Sequence, residues 1–199
     1  DGCGENSYAS SPAFHYECCV YDGGYRSWLG MYLMGAMDAP IRDQAIPAKN
    51  VTFVGSQSSG PGAIRCDHEG HVGARVNDIK ATVATWSTRP EVVLLTIGTF
   101  DVIANQTATQ IAADLTSLLQ AIHAGHPNAT VFVASIPGIH ATPAWNAVIS
   151  AYNALIPGVV SAASAAGQDA IFADINLLTG GMCSPTGNDC TNDAAHPET

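Results

Sequence analysis

Residues 92–97 read Val-Val-Leu-Leu-Thr-Ile, an apolar run of strand length, and residues 98–101 continue as Gly-Thr-Phe-Asp. Similar runs occur at residues 51–54, 130–134 and 170–173. Longer segments with apolar residues at helical spacing separate these runs. Apolar strands that alternate with helices are typical of a parallel sheet buried on both faces. We therefore predict an α/β fold with four visible central strands.

Four helices are predicted from this spacing, at about residues 25–37, 76–86, 106–125 and 144–166. We expect Pro157 and Gly158 to kink or split the last of them, because proline lacks an amide donor and glycine is flexible. The carboxyl ends of parallel strands form the ligand-binding edge of such sheets. The loops after the four strands are therefore the candidates for a functional site.

The chain has 199 residues, with 17 acidic and 7 basic residues and a net charge of -10. This length favours one domain, residues 1–199. The negative charge disfavours nucleic acid and anionic membrane surfaces as partners. No apolar run approaches the roughly 20 residues of a membrane span, so no membrane partner is expected. The first residues do not resemble a signal peptide, and we expect that any such peptide precedes this numbering.

Cysteines and glycosylation sequons indicate an extracellular, eukaryotic protein. The six cysteines lie in loop-like stretches, at Cys3, Cys18, Cys19, Cys66, Cys183 and Cys190. Disulfides are favoured over zinc ligation because there is no Cys-x-x-Cys pair. Sequons begin at Asn50, Asn105 and Asn128, which are the predicted glycosylation sites.

The sharpest chemical signal is Asp193 followed three residues later by His196. A carboxylate at this spacing can hydrogen-bond the imidazole, select its tautomer and stabilise the cation that forms when it takes a proton from a serine. The spacing alone is a weak motif, since acidic loops often contain it by accident.

Several segments in the same order give this pair more weight. They are residues 24–26 (GYR), 54–56 (VGS), 67–73 (DHEGHVG), 93–99 (VLLTIGT), 133–137 (VASIP) and 193–197 (DAAHP). In these segments the chain resembles the SGNH (GDSL-like) hydrolases, and most closely the carbohydrate esterases that include acetyl xylan esterases. The resemblance covers residues 24–197. It implies a flavodoxin-like three-layer α/β/α sandwich with a central parallel sheet, in which residues 1–23 are a cystine-braced loop insertion.

The resemblance implies three site residues. His196 would be the general base, Asp193 its orienting carboxylate, and the backbone amide of Gly73 a donor to the oxyanion. The family pattern Gly-x-Asn-Asp supplies a second donor from its Asn, but here that position is Phe100, which has no polar hydrogen. Asp101 follows, and as an acceptor it is expected to oppose an oxyanion.

The nucleophile of the family, the Ser of a Gly-Asp-Ser motif after the first strand, is not found in this sequence. Asp1 and Gly2 resemble the residues that follow that motif, so the first strand is expected to be missing or supplied by a separate peptide. Ser10 and Ser11 are weak candidates for the nucleophile, because their polar loop is typical of ordinary turns.

The remaining histidines show no ligand pattern. His68, Glu69 and His71 lie in a glycine-rich loop rather than one helical turn apart, so we interpret them as loop-organising residues and predict no metal and no cofactor. The others, His15, His123, His126 and His140, are predicted at the surface.

These features favour a secreted, monomeric serine ester hydrolase. The resemblance implies that it removes acetyl groups from plant cell-wall polysaccharide or acts on small esters. The alternative is a catalytically inactive member that binds carbohydrate or another partner, which Phe100 favours. A third hypothesis is a two-piece assembly whose other piece contributes the serine and the first strand.

Overall fold

The computed structural model describes residues 51–59, 66–139 and 143–175. The chain divides into two compact units, Asp1–Gly70 together with Thr199, and His71–Glu198. The predicted helix at residues 25–37 lies outside the described residues.

In the first unit, a short hairpin stands next to the predicted strand at residues 51–54. Strand β1 (Gln57–Ser59) pairs antiparallel with β2 (Cys66–His68). Residues 51–55 have no regular secondary structure, so the prediction of a strand there is wrong. A β-branched run becomes a strand only where a neighbour takes up its hydrogen bonds, and here the pairing begins three residues further on.

The second unit contains a parallel sheet of three strands, β3 (Val92–Leu95), β4 (Thr130–Ala134) and β5 (Ala170–Ala173). They lie in the order β3-β4-β5. The predicted α/β class with a parallel sheet is confirmed, with three strands in the described residues rather than four.

In the part of the chain that the structure describes, four helices accompany these strands. They are α1 (Val76–Thr82), which runs into a 3₁₀ turn at Val83–Thr85, α2 (Thr99–Ile103), α3 (Ala108–Gly125) and α4 (Pro143–Ala165). Three of them confirm predicted helices. Helix α2 was expected to be a loop. Helix α4 continues through Pro157 without a break, because Ile156 and Val160 on either side of it are both buried in the core.

One face of the sheet carries the core. The parallel register aligns Val93 with Val131, and Leu95 with Val133 and Phe172. These rows pack with buried apolar residues of α1, α3 and α4, among them Val76, Ile79, Ile111, Leu115, Leu118, Ile122, Ile149 and Ile156. On the other face, Val92, Leu94 and Ile171 remain 53%, 47% and 43% exposed.

Helix α4 is long and apolar enough, by length and composition, to cross a membrane. The expectation that no segment reaches that length is therefore wrong, because alanines and aliphatic residues outnumber its few polar side chains. In this unit the helix packs a stripe of residues that includes Ile149, Tyr152 and Ile156 in the core, as amphipathic helices do.

His126 differs from its expected surface position. It is buried at the end of α3, where its amide donates to the Ile122 carbonyl at 2.7 Å. Its ring stacks on Trp86 with 5.3 Å between centroids. The apolar spacing of α3 does not reveal this contact, because Trp86 precedes β3 in the sequence and α3 follows it.

Candidate active site

The carboxyl ends of β3, β4 and β5 lie at one edge of the sheet, where parallel α/β proteins bind their ligands. The residues just beyond this edge are Ile97 and Gly98 after β3, Ser135 after β4 and Asp174 after β5. Ser135 Oγ donates to Asp174 Oδ1 at 3.0 Å, which joins two of these strand ends.

Gly98 allows the chain to turn from β3 into α2. Its φ of 126° lies in a region that side chains rarely adopt, and a Cβ there would come within 2.7 Å of Tyr152 Cε1. The Tyr152 hydroxyl donates to the Ile97 carbonyl at 3.2 Å. Burial, and secondarily the negative charge of Asp101, raises the pKa of the Tyr152 phenol. The phenol is therefore a neutral donor that ties α4 to the end of β3.

Gly73 occupies a tight turn just before α1. The turn is closed by the Ala74 amide, which donates to the His71 carbonyl at 3.1 Å. With Gly73 at φ 77° in its third position, it is a type II turn, and that position favours glycine. The amide of Gly73 has no hydrogen-bond partner among the described residues, and the residue is exposed. This amide is therefore available to a ligand.

The two amides at the start of α1 are each held by a carboxylate. The Arg75 amide donates to Asp78 Oδ2 at 2.9 Å, and this bond is the main reason that the pKa of Asp78 lies below its usual range. The Val76 amide donates to Asp101 Oδ2 at 3.1 Å. Every amide from Ala74 to Val76 thus has an acceptor, and the amide of Gly73 has none in this part of the chain.

Asp101 is fully buried on α2. Its second oxygen, Oδ1, has no hydrogen-bond partner in the described part of the chain. Loss of solvent raises the pKa of this carboxyl, and the Val76 amide offsets part of that rise. We expected Asp101 to oppose an oxyanion, but the structure shows its carboxyl engaged with the helix start and withdrawn from solvent.

The loop after β4 is held by two asparagines of α4. Asn153 accepts from the Ile136 amide at 2.9 Å and donates to the Ile136 carbonyl at 2.8 Å. Asn146 makes the same pair of bonds with Ile139, at 2.6 and 2.7 Å. Such paired bonds fix both the position and the rotation of the peptide. No sequence motif marks these two residues.

The hairpin residues organise their own loop. Glu69 accepts from both the Ser56 amide at 2.6 Å and the Ser56 hydroxyl at 2.9 Å. His68 Nδ1 accepts from the Gly70 amide at 3.0 Å. Among the described residues, no group of three potential ligands could hold a metal ion.

The other predicted residues fall into two groups. Phe100 lies half-buried on α2, beside the buried Asp101, and Asn105 and Asn128 are exposed. The predicted base, its carboxylate, both candidate nucleophiles and one sequon lie outside the described residues, namely His196, Asp193, Ser10, Ser11 and Asn50. Gly73 and the catalytic pair therefore keep their roles as predictions.

Comparisons with known proteins identify the family of the chain and several solved structures that it resembles. Residues 10–198 match the GDSL-like lipase/acylhydrolase family. A family 3 carbohydrate esterase of Clostridium thermocellum is 32% identical, with a TM-score of 0.59 over 74% of this chain and 69% of that one. One from Talaromyces cellulolyticus is also 32% identical, with a TM-score of 0.63 over 74% of this chain and 72% of that one.

An acetyl esterase mutant with an acetate ion is 32% identical as well, with a TM-score of 0.59 over 70% of this chain and 66% of that one. No curated protein matches the sequence. The chain belongs to the GDSL-like lipase/acylhydrolase family, as its resemblance to the SGNH hydrolases predicted. Its carbohydrate esterase neighbours support an esterase function.

We predict that Gly98→Ala destabilises the protein, because the new Cβ meets the Tyr152 ring and the backbone conformation disfavours it. The expected loss is about 2 kcal/mol or more. Gly158→Ala is the matched control: nothing lies within 4 Å of its Cβ position on α4, and the change should stabilise by about 0.5–1 kcal/mol. Denaturant unfolding of both variants measures this; equal effects would contradict the packing.

We predict that Asp101→Asn becomes increasingly stable relative to the native protein as pH rises above about 4. The ordinary pKa of the carboxyl is 3.8 and the folded value is higher, so the folded state retains the proton longer than the unfolded state. As the pH rises from 3.8 to the folded pKa, Asp101 therefore lowers the stability of the native protein, and the Asn variant has no such loss. Calorimetric melting temperatures from pH 4 to pH 8 test it, and parallel curves for the two proteins would contradict it.

Proposed function

We propose that the protein is a secreted serine esterase that removes acetyl groups from plant cell-wall polysaccharide. The observation that carries this proposal is the Gly73 amide, which a type II turn presents and which has no hydrogen-bond partner among the described residues. It lies on a chain that is 32% identical to two family 3 carbohydrate esterases. An amide with no internal partner is suited to stabilise the oxygen of a tetrahedral intermediate.

In the proposed reaction a serine attacks the ester carbonyl, and His196 takes the serine proton. Asp193 orients the imidazole and stabilises its cationic form. The carbonyl oxygen gains negative charge and accepts a hydrogen bond from Gly73. His196 then donates the proton to the leaving alcohol, and the acetyl group remains bonded to the serine. His196 next takes a proton from water, which attacks the acetyl-serine and releases acetate and the free serine. Ser10 and Ser11 are the candidate nucleophiles within this numbering.

The acyl group and the sugar are proposed from the neighbours. The solved relatives include carbohydrate esterases and an acetyl esterase mutant with an acetate ion, which supports acetylated carbohydrate as the substrate. The negative net charge of -10 favours neutral over anionic substrates.

Secretion is supported by the positions of the sequons. Asn105 is exposed in the turn before α3, and Asn128 is exposed between α3 and β4. Both side chains are therefore open to glycan addition during export. We also propose that the cysteines form disulfides in the exported protein and that it is a monomer.

A catalytically inactive carbohydrate- or partner-binding protein is the second candidate, and Phe100 is the observation that favours it. A phenyl ring cannot replace the side-chain donor of the family pattern, and loss of one such donor lowers kcat about 100- to 1000-fold. The same edge of the sheet would then bind a ligand without turning it over.

A separate peptide that adds a strand beside β3 is a further proposal. In the described residues β3 pairs only with β4. An unpaired edge of this kind accepts an additional strand. Intact mass under native conditions would reveal such a peptide.

We predict that a fluorophosphonate probe adds one label to the deglycosylated protein, and that peptide sequencing maps it to a serine. His196→Ala should abolish labelling and lower the hydrolysis of 4-nitrophenyl acetate about 10⁴-fold or more, because the serine loses its base. His123→Ala, on α3, is the control for loss of an imidazole and should retain both. An unlabelled protein whose mass matches the printed chain would favour the binding protein instead.

We predict that Phe100→Asn raises kcat about 10-fold or more, because it restores a side-chain donor to the oxyanion. Phe100→Leu removes the ring without adding a donor and should leave kcat unchanged. Steady-state kinetics on 4-nitrophenyl acetate compares the two. An equal increase in both variants would show that the ring obstructs the site, and no increase in either would contradict the assigned position.

A further inference from the structure

We propose that Asp101 is a positioning residue that holds the start of α1, and through it places the Gly73 amide for the oxyanion. This inference rests on the proposed esterase function. It gives Asp101 a role that depends on where its carboxyl oxygen lies.

The connection between the two residues is short. Asp101 Oδ2 accepts from the amide of Val76, three residues after Gly73. Between them, Ala74 donates to the His71 carbonyl and Arg75 donates to Asp78. The three amides that follow Gly73 in the chain are therefore all hydrogen-bonded, and these bonds hold the segment that carries the Gly73 amide. Asp101 supplies the one acceptor that comes from a distant part of the sequence.

Of the two carboxylates, Asp101 is the one that can resist displacement of the turn. Asp78 is exposed and belongs to α1 itself, so its bond to Arg75 moves with the helix. Asp101 is fully buried on α2, which follows β3 directly. The Val76 bond therefore ties the turn to the sheet, and the Asp78 bond does not.

The buried carboxyl is poorly explained by stability. Its Oδ1 has no hydrogen-bond partner in the described residues, and its burial disfavours the charged form. An apolar side chain of the same size would fill the space without an unpaired oxygen. A buried polar atom without a hydrogen-bond partner is destabilising, and such atoms are expected where a functional site requires a defined geometry.

The requirement for accurate placement is stronger here because Phe100 contributes no donor. The Gly73 amide is then the one oxyanion donor assigned within the described residues, and a donor must be held within about 0.5 Å of its working position. A displaced turn would affect the transition state more than substrate binding.

The test compares Asp101→Asn, which keeps an acceptor for the Val76 amide, with Asp101→Leu, which keeps the shape and removes it. With 4-nitrophenyl acetate, we expect kcat within about 3-fold of native in the Asn variant and about 100-fold lower in the Leu variant. KM should change less than about 3-fold in both. Native kcat in the Leu variant, or equal losses in both variants, would overturn the proposal.

A matched control separates positioning from general destabilisation. Ile122→Ala removes a fully buried side chain near the end of α3. Ile122 takes part in none of the three hydrogen bonds that hold the turn. It should lower the melting temperature at least as much as Asp101→Leu and leave kcat unchanged. A parallel fall of kcat with melting temperature across both variants would reduce Asp101 to a structural residue and overturn the proposal.

Hydrogen exchange makes the test independent of activity and of how well the Leu variant folds. In the native protein the Val76 amide should exchange slowly and the Gly73 amide quickly, and Asp101→Asn should preserve this difference. Rapid exchange at Val76 in the native protein would overturn the inference. A native protein with no esterase activity but a protected Val76 amide would overturn the proposed esterase, and leave Asp101 as the residue that positions the Gly73 turn.

Discussion

The register between β3 and β4 is the constraint on which the second unit depends. Val93 and Leu95 align with Val131 and Val133, so both rows face the same helices and exclude water from them. Burial of apolar surface is the main favourable term in folding, and these two rows lie at the centre of the buried core. The same register brings the strand ends to one edge, where the loops that carry the candidate site begin.

Polar side chains of the helices then hold those loops. Tyr152 donates to the Ile97 carbonyl beyond β3, Asn153 binds both polar groups of Ile136 beyond β4, and Asp101 accepts from Val76. Two of these residues belong to α4, which also packs in the core. A rigid helix therefore determines both the packing of the sheet and the shape of its functional edge, which is how a site retains its geometry without a bound ligand.

The site differs from its family pattern in a way that has a clear physical meaning. The turn at Gly73 presents a backbone donor, and backbone donors do not depend on side-chain identity. Phe100 stands where the pattern has a side-chain donor, so the proposed esterase would stabilise its oxyanion with fewer groups. The carbohydrate esterase neighbours support ester hydrolysis as the chemistry. In the proposed esterase, the donor missing at Phe100 would lower the rate.

The sequence by itself determined the parallel sheet, the helices at α1, α3 and α4, and the family, because apolar periodicity and short motifs are local properties. The family resemblance also singled out Gly73, and the structure places this residue in a turn with positive φ. The strand at residues 51–54 was wrongly predicted, because strand formation depends on a partner that composition does not specify. Only the tertiary structure decided the burial and the hydrogen bond of Asp101. Its carboxyl oxygen accepts a hydrogen bond from the Val76 amide, 25 residues earlier in the chain, and burial raises the pKa of the carboxyl. The paired bonds of Asn146 and Asn153 were likewise invisible, because hydrogen bonds between distant segments exist only once the sheet and helices have packed.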